Sequence, residues 1–174
     1  MLDRKLFSIL LTGLIAYFSN GCGARQRLTA VSLTPNSGSG AQQIFTGTVS
    51  DSSGYADLNR MQIVIMGQDP NQSLVKGCRA MYDLALNKFF VIDDPGTAWL
   101  GPISPGSADM LQNDQCILSG TGSSASGSGN TLTVTVNIRF KAAYAGSKGL
   151  YLYARNRSIN TGFVSMGSWT VKLE

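Results

Sequence analysis

Hydrophobic and polar residues alternate most regularly between residues 132 and 140 of this chain. Large apolar residues stand at every second position, with threonine, asparagine or arginine between them: Leu132, Val134, Val136, Ile138 and Phe140. Successive side chains of a β-strand point to opposite faces, so this period puts all of them on one face. The pattern predicts a strand with one face in a core and the other in water.

Shorter patterns of the same kind predict further strands. Alternation indicates strands at residues 28–33, 42–50, 150–155 and 169–173, and the apolar run 63–66 within 58–66 indicates a central strand covered on both faces. Residues 78–84 and 88–92 are typical of a hairpin, as are 116–126 and 131–141, joined across the turn 127–130. In the last strand we expect Trp169 in the core, packed against Leu152 and Ala154.

The connections between these strands are rich in glycine, proline, serine and asparagine. Residues 34–38 and 51–54 are typical turns, and 67–77 is a polar loop. Residues 93–113 form a long irregular connection with three prolines, in which Trp99 and Leu100 need cover. The whole pattern predicts an all-β fold: a single antiparallel β-sandwich with one disulfide over residues 29–174, after an N-terminal signal helix.

Composition limits the chain to one folded domain. Its 174 residues are 43% hydrophobic and 14% charged, which is enough apolar material for one core. The formal net charge of +4 comes from basic residues scattered singly, whereas nucleic-acid binding needs a dense basic surface. We therefore expect no nucleic-acid partner.

The N-terminus has the form of an export signal. Arg4 and Lys5 precede an apolar run of about a dozen residues, which is shorter than the roughly twenty that span a bilayer. Gly21 and Cys22 follow, and they resemble the lipobox of bacterial lipoproteins, in which the cysteine is acylated; Ser19 departs from that pattern. Residues 1–22 are predicted to be a signal peptide with a degenerate lipobox, and residues 23–28 a tether. The alternative is an ordinary signal peptide cut nearby.

This N-terminus predicts an exported protein, either a cell-envelope lipoprotein of the outer membrane or cell surface, or a secreted protein. Acylation of Cys22 would make the membrane a partner through a lipid anchor. Of the three cysteines, Cys78 and Cys116 then remain inside the domain, where an oxidising compartment favours a disulfide between them. Closing this loop stabilises a fold by about 4 kcal/mol in the chain-entropy model.

Catalytic chemistry finds little support in the sequence. The chain contains no histidine, so a Ser-His-Asp arrangement is excluded. The adjacent pair Asp93 and Asp94 precedes Pro95-Gly96 and is typical of a turn. We predict no catalytic residues and no enzymatic activity.

Two kinds of binding site remain open. Asp51 and Asp57 flank Gly54 in one turn and could supply oxygen ligands to calcium, the one cofactor that the sequence suggests. The alternative is an Asx turn that closes the connection. Exposed aromatic residues could stack on sugar rings, or they could simply cap a sheet. The candidates are Tyr144, Tyr151, Tyr153 and Phe163.

Three phrases of the sequence resemble a known kind of module. VSLTPNSGSGAQQIFTGTVSD, NDQCILSGTGSSASGSGNTLTVTVNIRFKAAYAG and LYLYARNRSINTGFVSMGSWTV are similar to an Ig-like or fibronectin type III-like repeat module of bacterial secreted and surface proteins. In that family Asn113-x-x-Cys116 and the closing Gly167-Ser168-Trp169 recur. The resemblance implies a sandwich fold outside the cytoplasm and no assigned catalytic activity.

Two function classes follow from these observations. The first is a non-catalytic structural, adhesion or protein-interaction module anchored at the cell surface. The second is a carbohydrate-binding module that attaches the cell or a partner to polysaccharide.

Overall fold

The computed structural model describes residues 27–67, 69–71 and 73–172. The described residues form twelve β-strands and two single turns of 3₁₀ helix, Tyr55–Asp57 and Ala142–Tyr144. The strands are β1 Leu28–Thr34, β2 Ser37–Ser39, β3 Gln42–Asp51, β4 Leu58–Met66, β5 Cys78–Asp83, β6 Lys88–Ile92, β7 Trp99–Ile103, β8 Met110–Gln112, β9 Cys116–Ser128, β10 Thr131–Phe140, β11 Gly146–Asn156 and β12 Val164–Val171. The predicted all-β class is confirmed.

The predicted signal peptide 1–22, its helix, Cys22 and tether residues 23–26 lie outside the described residues. Within the described ranges, no helix has the length and apolar character needed to cross a membrane.

The strands form two sheets, as in a β-sandwich. One sheet has five strands in the order β1-β3-β10-β9-β8, and the other has seven in the order β2-β12-β11-β4-β5-β6-β7. Neighbouring strands are antiparallel except β2 and β12, where Gly38 lies opposite Trp169 in a parallel pair. The prediction of a purely antiparallel sandwich is wrong at this pair. The chain leaves the edge of one sheet after β1, and β2 joins the edge of the other in the same direction as β12.

The main core lies between the two sheets. The five-stranded sheet contributes side chains that alternate along β3, β9 and β10, as the sequence period predicts, and the seven-stranded sheet contributes those of β4, β5, β6, β11 and β12. The largest fully buried members include Phe45, Phe89, Met61, Ile63, Ile65, Leu118, Leu132, Ile138, Leu150 and Leu152. Fully burying one such side chain is worth about 1.5 to 3 kcal/mol, so this layer supplies most of the driving force.

The outer face of the seven-stranded sheet is covered as well. Val64 and Met66 of β4 point away from the main core, yet they are only 0% and 1% exposed. Gly77 lies against the side chain of Met66, and the backbone N–H of the neighbouring Lys76 donates to the Asp94 carbonyl at 3.0 Å. The prediction that residues 58–66 form a central strand covered on both faces is confirmed, with β11 and β5 as its neighbours.

Residues 93–113 do not form a wholly irregular connection. Trp99 and Leu100 pair with Ile92 and Val91, so β7 extends the edge of the seven-stranded sheet, and β8 pairs with β9. Both are short edge strands, and Pro102 in β7 is typical of an edge position. More than half of their positions are exposed, so no apolar alternation marked these two strands in the sequence.

Two further details differ from the sequence prediction. The hairpin between β9 and β10 turns at Gly129-Asn130 alone, because β9 continues through Gly127 and Ser128 of the predicted four-residue turn, whereas β10 begins at Thr131 as predicted. Trp169 is buried, as predicted, but its strand register sets it opposite Lys148 and its indole packs edge-on against Phe45 at 5.4 Å. The predicted neighbours Leu152 and Ala154 lie farther along β11, where Leu152 pairs with Val164.

Candidate functional site

A disulfide joins the two sheets at one end of the sandwich. Cys78 begins β5 in the seven-stranded sheet and Cys116 begins β9 in the five-stranded sheet, and their Cα atoms are 5.7 Å apart. Both cysteines are fully buried. The predicted bridge is confirmed, and it stands inside the core.

Asn113 fixes the backbone around this bridge. Its side-chain amide donates to the carbonyls of Gly77 and Ile92, each at 3.0 Å. Its side-chain oxygen accepts the backbone N–H groups of Gln115 and Cys116, also at 3.0 Å. One buried side chain therefore connects both cysteine-bearing segments through four hydrogen bonds.

The candidate calcium ligands Asp51 and Asp57 flank one turn, as the spacing suggested. The buried Asp51 carboxylate accepts the backbone N–H of Ser53 at 2.8 Å and the Asn156 side-chain amide at 2.7 Å. Asp57 forms an ion pair with the exposed Arg157 at 3.6 Å. In the described part of the chain, no three cysteine or carboxylate side chains gather as metal ligands would. Both oxygens of Asp51 already accept hydrogen bonds from the protein, and calcium stays a hypothesis.

The adjacent carboxylates of Asp93 and Asp94 hold backbone segments in place. Asp93 accepts the N–H of Thr97 at 2.7 Å, and Asp94 accepts the N–H of Asp114 at 2.8 Å. The two carboxylates thus accept hydrogen bonds from different segments of the backbone.

The four aromatic candidates separate into two groups. Tyr144 is in the core, only 8% exposed, and its hydroxyl donates to the Ile65 carbonyl at 2.7 Å. Burial raises its pKa to about 12. Tyr151, Tyr153 and Phe163 are half-buried instead, and the rings of Tyr153 and Phe163 lie 5.1 Å apart at an interplanar angle of 36°. Because these two rings are tilted, they do not form a flat platform.

An arginine that the sequence analysis did not single out extends this aromatic cluster. The guanidinium of Arg79 in β5 lies 5.4 Å from the centroid of the Trp99 ring and 5.6 Å from that of Phe163. We call Arg79, Trp99, Phe163 and Tyr153 the aromatic–arginine cluster. Arg79 alternates with the inward-facing Cys78 and Ala80, so the strand period alone would place it in water. The apolar run in the neighbouring strand β4, which predicted a strand covered on both faces, was the one sequence signal that could have indicated that Arg79 is buried.

A second surface feature lies on the five-stranded sheet. Met110 and Gln112 of β8, Ile117 of β9 and Arg139 of β10 line an open groove of about 400 Å³. Met110 is 63% exposed, the highest value among the large apolar side chains of the described residues. We call these four residues the β8 groove.

Comparisons with protein-family models, with curated proteins and with solved structures gave no match. The resemblance to an Ig-like module therefore rests on the three sequence phrases, and function has to be argued from the surfaces described above.

Proposed function

We propose that this chain is a non-catalytic Ig-like module of the cell envelope that acts by binding a partner protein. The β8 groove is the observation that carries the proposal. Protein interfaces are enriched in methionine and arginine at their centres and have polar rims. The groove combines Met110 and Ile117 with Arg139 and Gln112 in this way.

The location of the module supports the same function. An internal disulfide is consistent with an oxidising, extracytoplasmic compartment. The expected signal and the acylated Cys22 would then tether the domain to a membrane, with the five-stranded sheet available to a neighbouring protein. Such a module acts as a structural or adhesion element, since exposed apolar surface is a common mark of interaction sites.

Site-specific photo-crosslinking in cells that express the protein tests this proposal. A photoreactive residue at Met110 should give one discrete crosslinked product, which Arg139→Glu should weaken. Val31 is the matched control, because it is 53% exposed on β1 at the opposite edge of the same sheet. Equal crosslinking from both positions, or none from Met110, contradicts the proposal.

A second candidate function is carbohydrate binding, and the ring pair of Tyr153 and Phe163 favours it. Aromatic rings at a sheet surface can stack on the C–H faces of pyranose rings, and both rings are half-buried with part of their surface in solvent. A glycan array with the purified full-length protein tests this function. Loss of glycan binding in Tyr153→Ala, with retention in Tyr151→Ala, is the expected result, and absence of any glycan binding contradicts it.

A further inference from the structure

Arg79 is a cation enclosed by apolar surroundings. Arg79 is only 4% exposed, and its guanidinium carbon lies 5.4 Å from the centroid of the Trp99 ring and 5.6 Å from that of the Phe163 ring. Burial lowers the pKa of this arginine from its usual value. An aromatic ring whose face lies close to a cation stabilises that cation through the ring quadrupole. Neither ring supplies an oxygen acceptor to the N–H groups of the guanidinium.

Those donors are largely unused. Nη2 donates to the side-chain oxygen of Gln62 at 3.0 Å, whereas Nε and Nη1 are buried with no hydrogen-bond partner. Nε and Nη1 carry three of the five N–H groups of a guanidinium. Among the described residues, no carboxylate pairs with Arg79. Buried polar groups without partners are rare in folded proteins, and an unfilled ligand position is one reason for them.

We propose that Arg79 binds the carboxylate of a sugar acid, such as a hexuronate unit of an acidic polysaccharide. A carboxylate has the planar geometry that accepts two N–H groups from one guanidinium edge. The rings of the aromatic–arginine cluster add the apolar surface on which a pyranose stacks. This inference deepens the carbohydrate-binding candidate, on which it rests, and names the class of sugar.

Access to the guanidinium requires one of its two covering rings to move. Trp99 is held in strand β7, whereas Phe163 belongs to the connection that precedes β12. Its backbone carbonyl accepts a hydrogen bond from the Asn71 side chain at 3.3 Å, a distance typical of a weak contact. Displacement of the Phe163 ring therefore opens the site, and its face then becomes free to stack on the sugar.

Titration of the full-length protein with sodium D-glucuronate tests the inference. Nuclear magnetic resonance follows the Nε–H signal of Arg79, which is identified by its loss in Arg79→Met. Glucuronate should shift this signal and D-glucose should not. Arg79→Met should weaken glucuronate binding about ten- to hundred-fold, since hydrogen bonds to charged groups contribute on that scale. Arg79→Lys should retain part of the affinity.

The matched control is Arg155→Met, because Arg155 is an exposed arginine on the same face of the seven-stranded sheet. It should leave glucuronate binding unchanged. Arg79→Met should melt at or above the wild-type temperature, since a buried charge without an anionic partner destabilises a fold. That result separates a loss of binding from a loss of structure.

Four outcomes would overturn the inference. They are an unmoved Arg79 signal, full glucuronate binding by Arg79→Met, an equal effect of glucose, and binding of N-acetylglutamate as tight as that of glucuronate. The last would indicate a site for acidic peptides. Neutral glycans that bind at Tyr153 while glucuronate does not would leave the carbohydrate-binding candidate intact, whereas binding of neither sugar class removes both.

Discussion

The side-chain amide of Asn156 donates a 2.7 Å hydrogen bond to the carboxylate of Asp51, and both side chains are fully buried. Asp51 ends β3 in the five-stranded sheet, and Asn156 ends β11 in the seven-stranded sheet. Asn156 also accepts the backbone N–H groups of Ser158 and Ile159. This pair joins the two sheets through side chains and organises the turns on either side.

Asp51→Ala should lower the free energy of unfolding by about 2 to 4 kcal/mol, because the buried amide of Asn156 and the N–H of Ser53 lose their acceptor. Asp57→Ala should give a smaller loss, since its partner Arg157 is 76% exposed and surface ion pairs contribute little. Urea denaturation measures both. The same titrations with calcium chloride and with a chelator should coincide; stabilisation by calcium that Asp57→Ala abolishes would instead establish the ion site.

Asn113→Ala should cost about 2 to 4 kcal/mol of stability, because two buried carbonyls and two buried N–H groups lose their partner together. Asn113→Asp is the matched variant. It keeps the oxygen that accepts from Gln115 and Cys116 and loses the donor to Gly77 and Ile92. Its denaturation midpoint should therefore fall between those of wild type and Asn113→Ala. Denaturation is measured with the disulfide intact. An Asn113→Ala midpoint equal to that of wild type would show that these hydrogen bonds do not stabilise the fold.

Trp169→Ala should destabilise the protein by roughly 3 to 5 kcal/mol, because it leaves a cavity beside Phe45. Trp169→Phe should lose less, since it keeps an aromatic ring in the core, although it removes the indole hydrogen bond to the Gly40 carbonyl, 3.1 Å long, and part of the ring that packs against Gly38. In a Trp99→Phe background, Trp169 is the single tryptophan, so tryptophan fluorescence reports on it alone. Its native emission should be blue-shifted relative to the unfolded chain. A solvent-like maximum would place the indole outside the core.

Tyr144 should make stability fall at alkaline pH. Burial raises the pKa of its hydroxyl in the folded state from 10.0 to about 12, so the neutral form is favoured in the fold. The contribution of the neutral Tyr144 hydroxyl to the free energy of unfolding is complete below pH 10.0. It is lost as the pH rises toward about 12, where the tyrosine ionises in the folded protein. This shift corresponds to up to about 3 kcal/mol.

Tyr144→Phe is the control for that measurement. It should be less stable than wild type near neutral pH, because the Ile65 carbonyl loses its donor, and it should show a flatter decline above pH 10.0. Chemical denaturation across this range gives both profiles. Parallel profiles for the two proteins would contradict the assignment of the decline to Tyr144.

The strands of the main core were predictable because their pattern is local. Phe45, Leu132 and Val136 alternate with polar residues inside single strands, so a two-residue period identifies their buried face without any knowledge of neighbours. The disulfide was predictable for a different reason, because the predicted export signal implies an oxidising compartment, where two cysteines inside one domain are expected to pair. These features define the two sheets and the link between them.

The aromatic–arginine cluster and the burial of Tyr144 depend on distant segments. Arg79 is covered by Trp99 and Phe163, which are 20 and 84 positions farther along the chain, and no local pattern connects them. Tyr144 follows β10 in a single 3₁₀ turn that directs its ring toward Phe140 at 6.3 Å. Its position after a strand end suggested an exposed loop residue. Burial of this kind comes from packing between elements, and periodicity does not report it.

The position of the disulfide also determines how the module responds to mechanical force. Because Cys78 and Cys116 are bonded, a pull on the two ends of the chain cannot extend the 38-residue separation between them. About 130 Å of contour length is thereby withheld from extension. Reduction of the bond would release that length once force unfolds the domain, so the extension of the stretched chain would depend on the redox state of its surroundings.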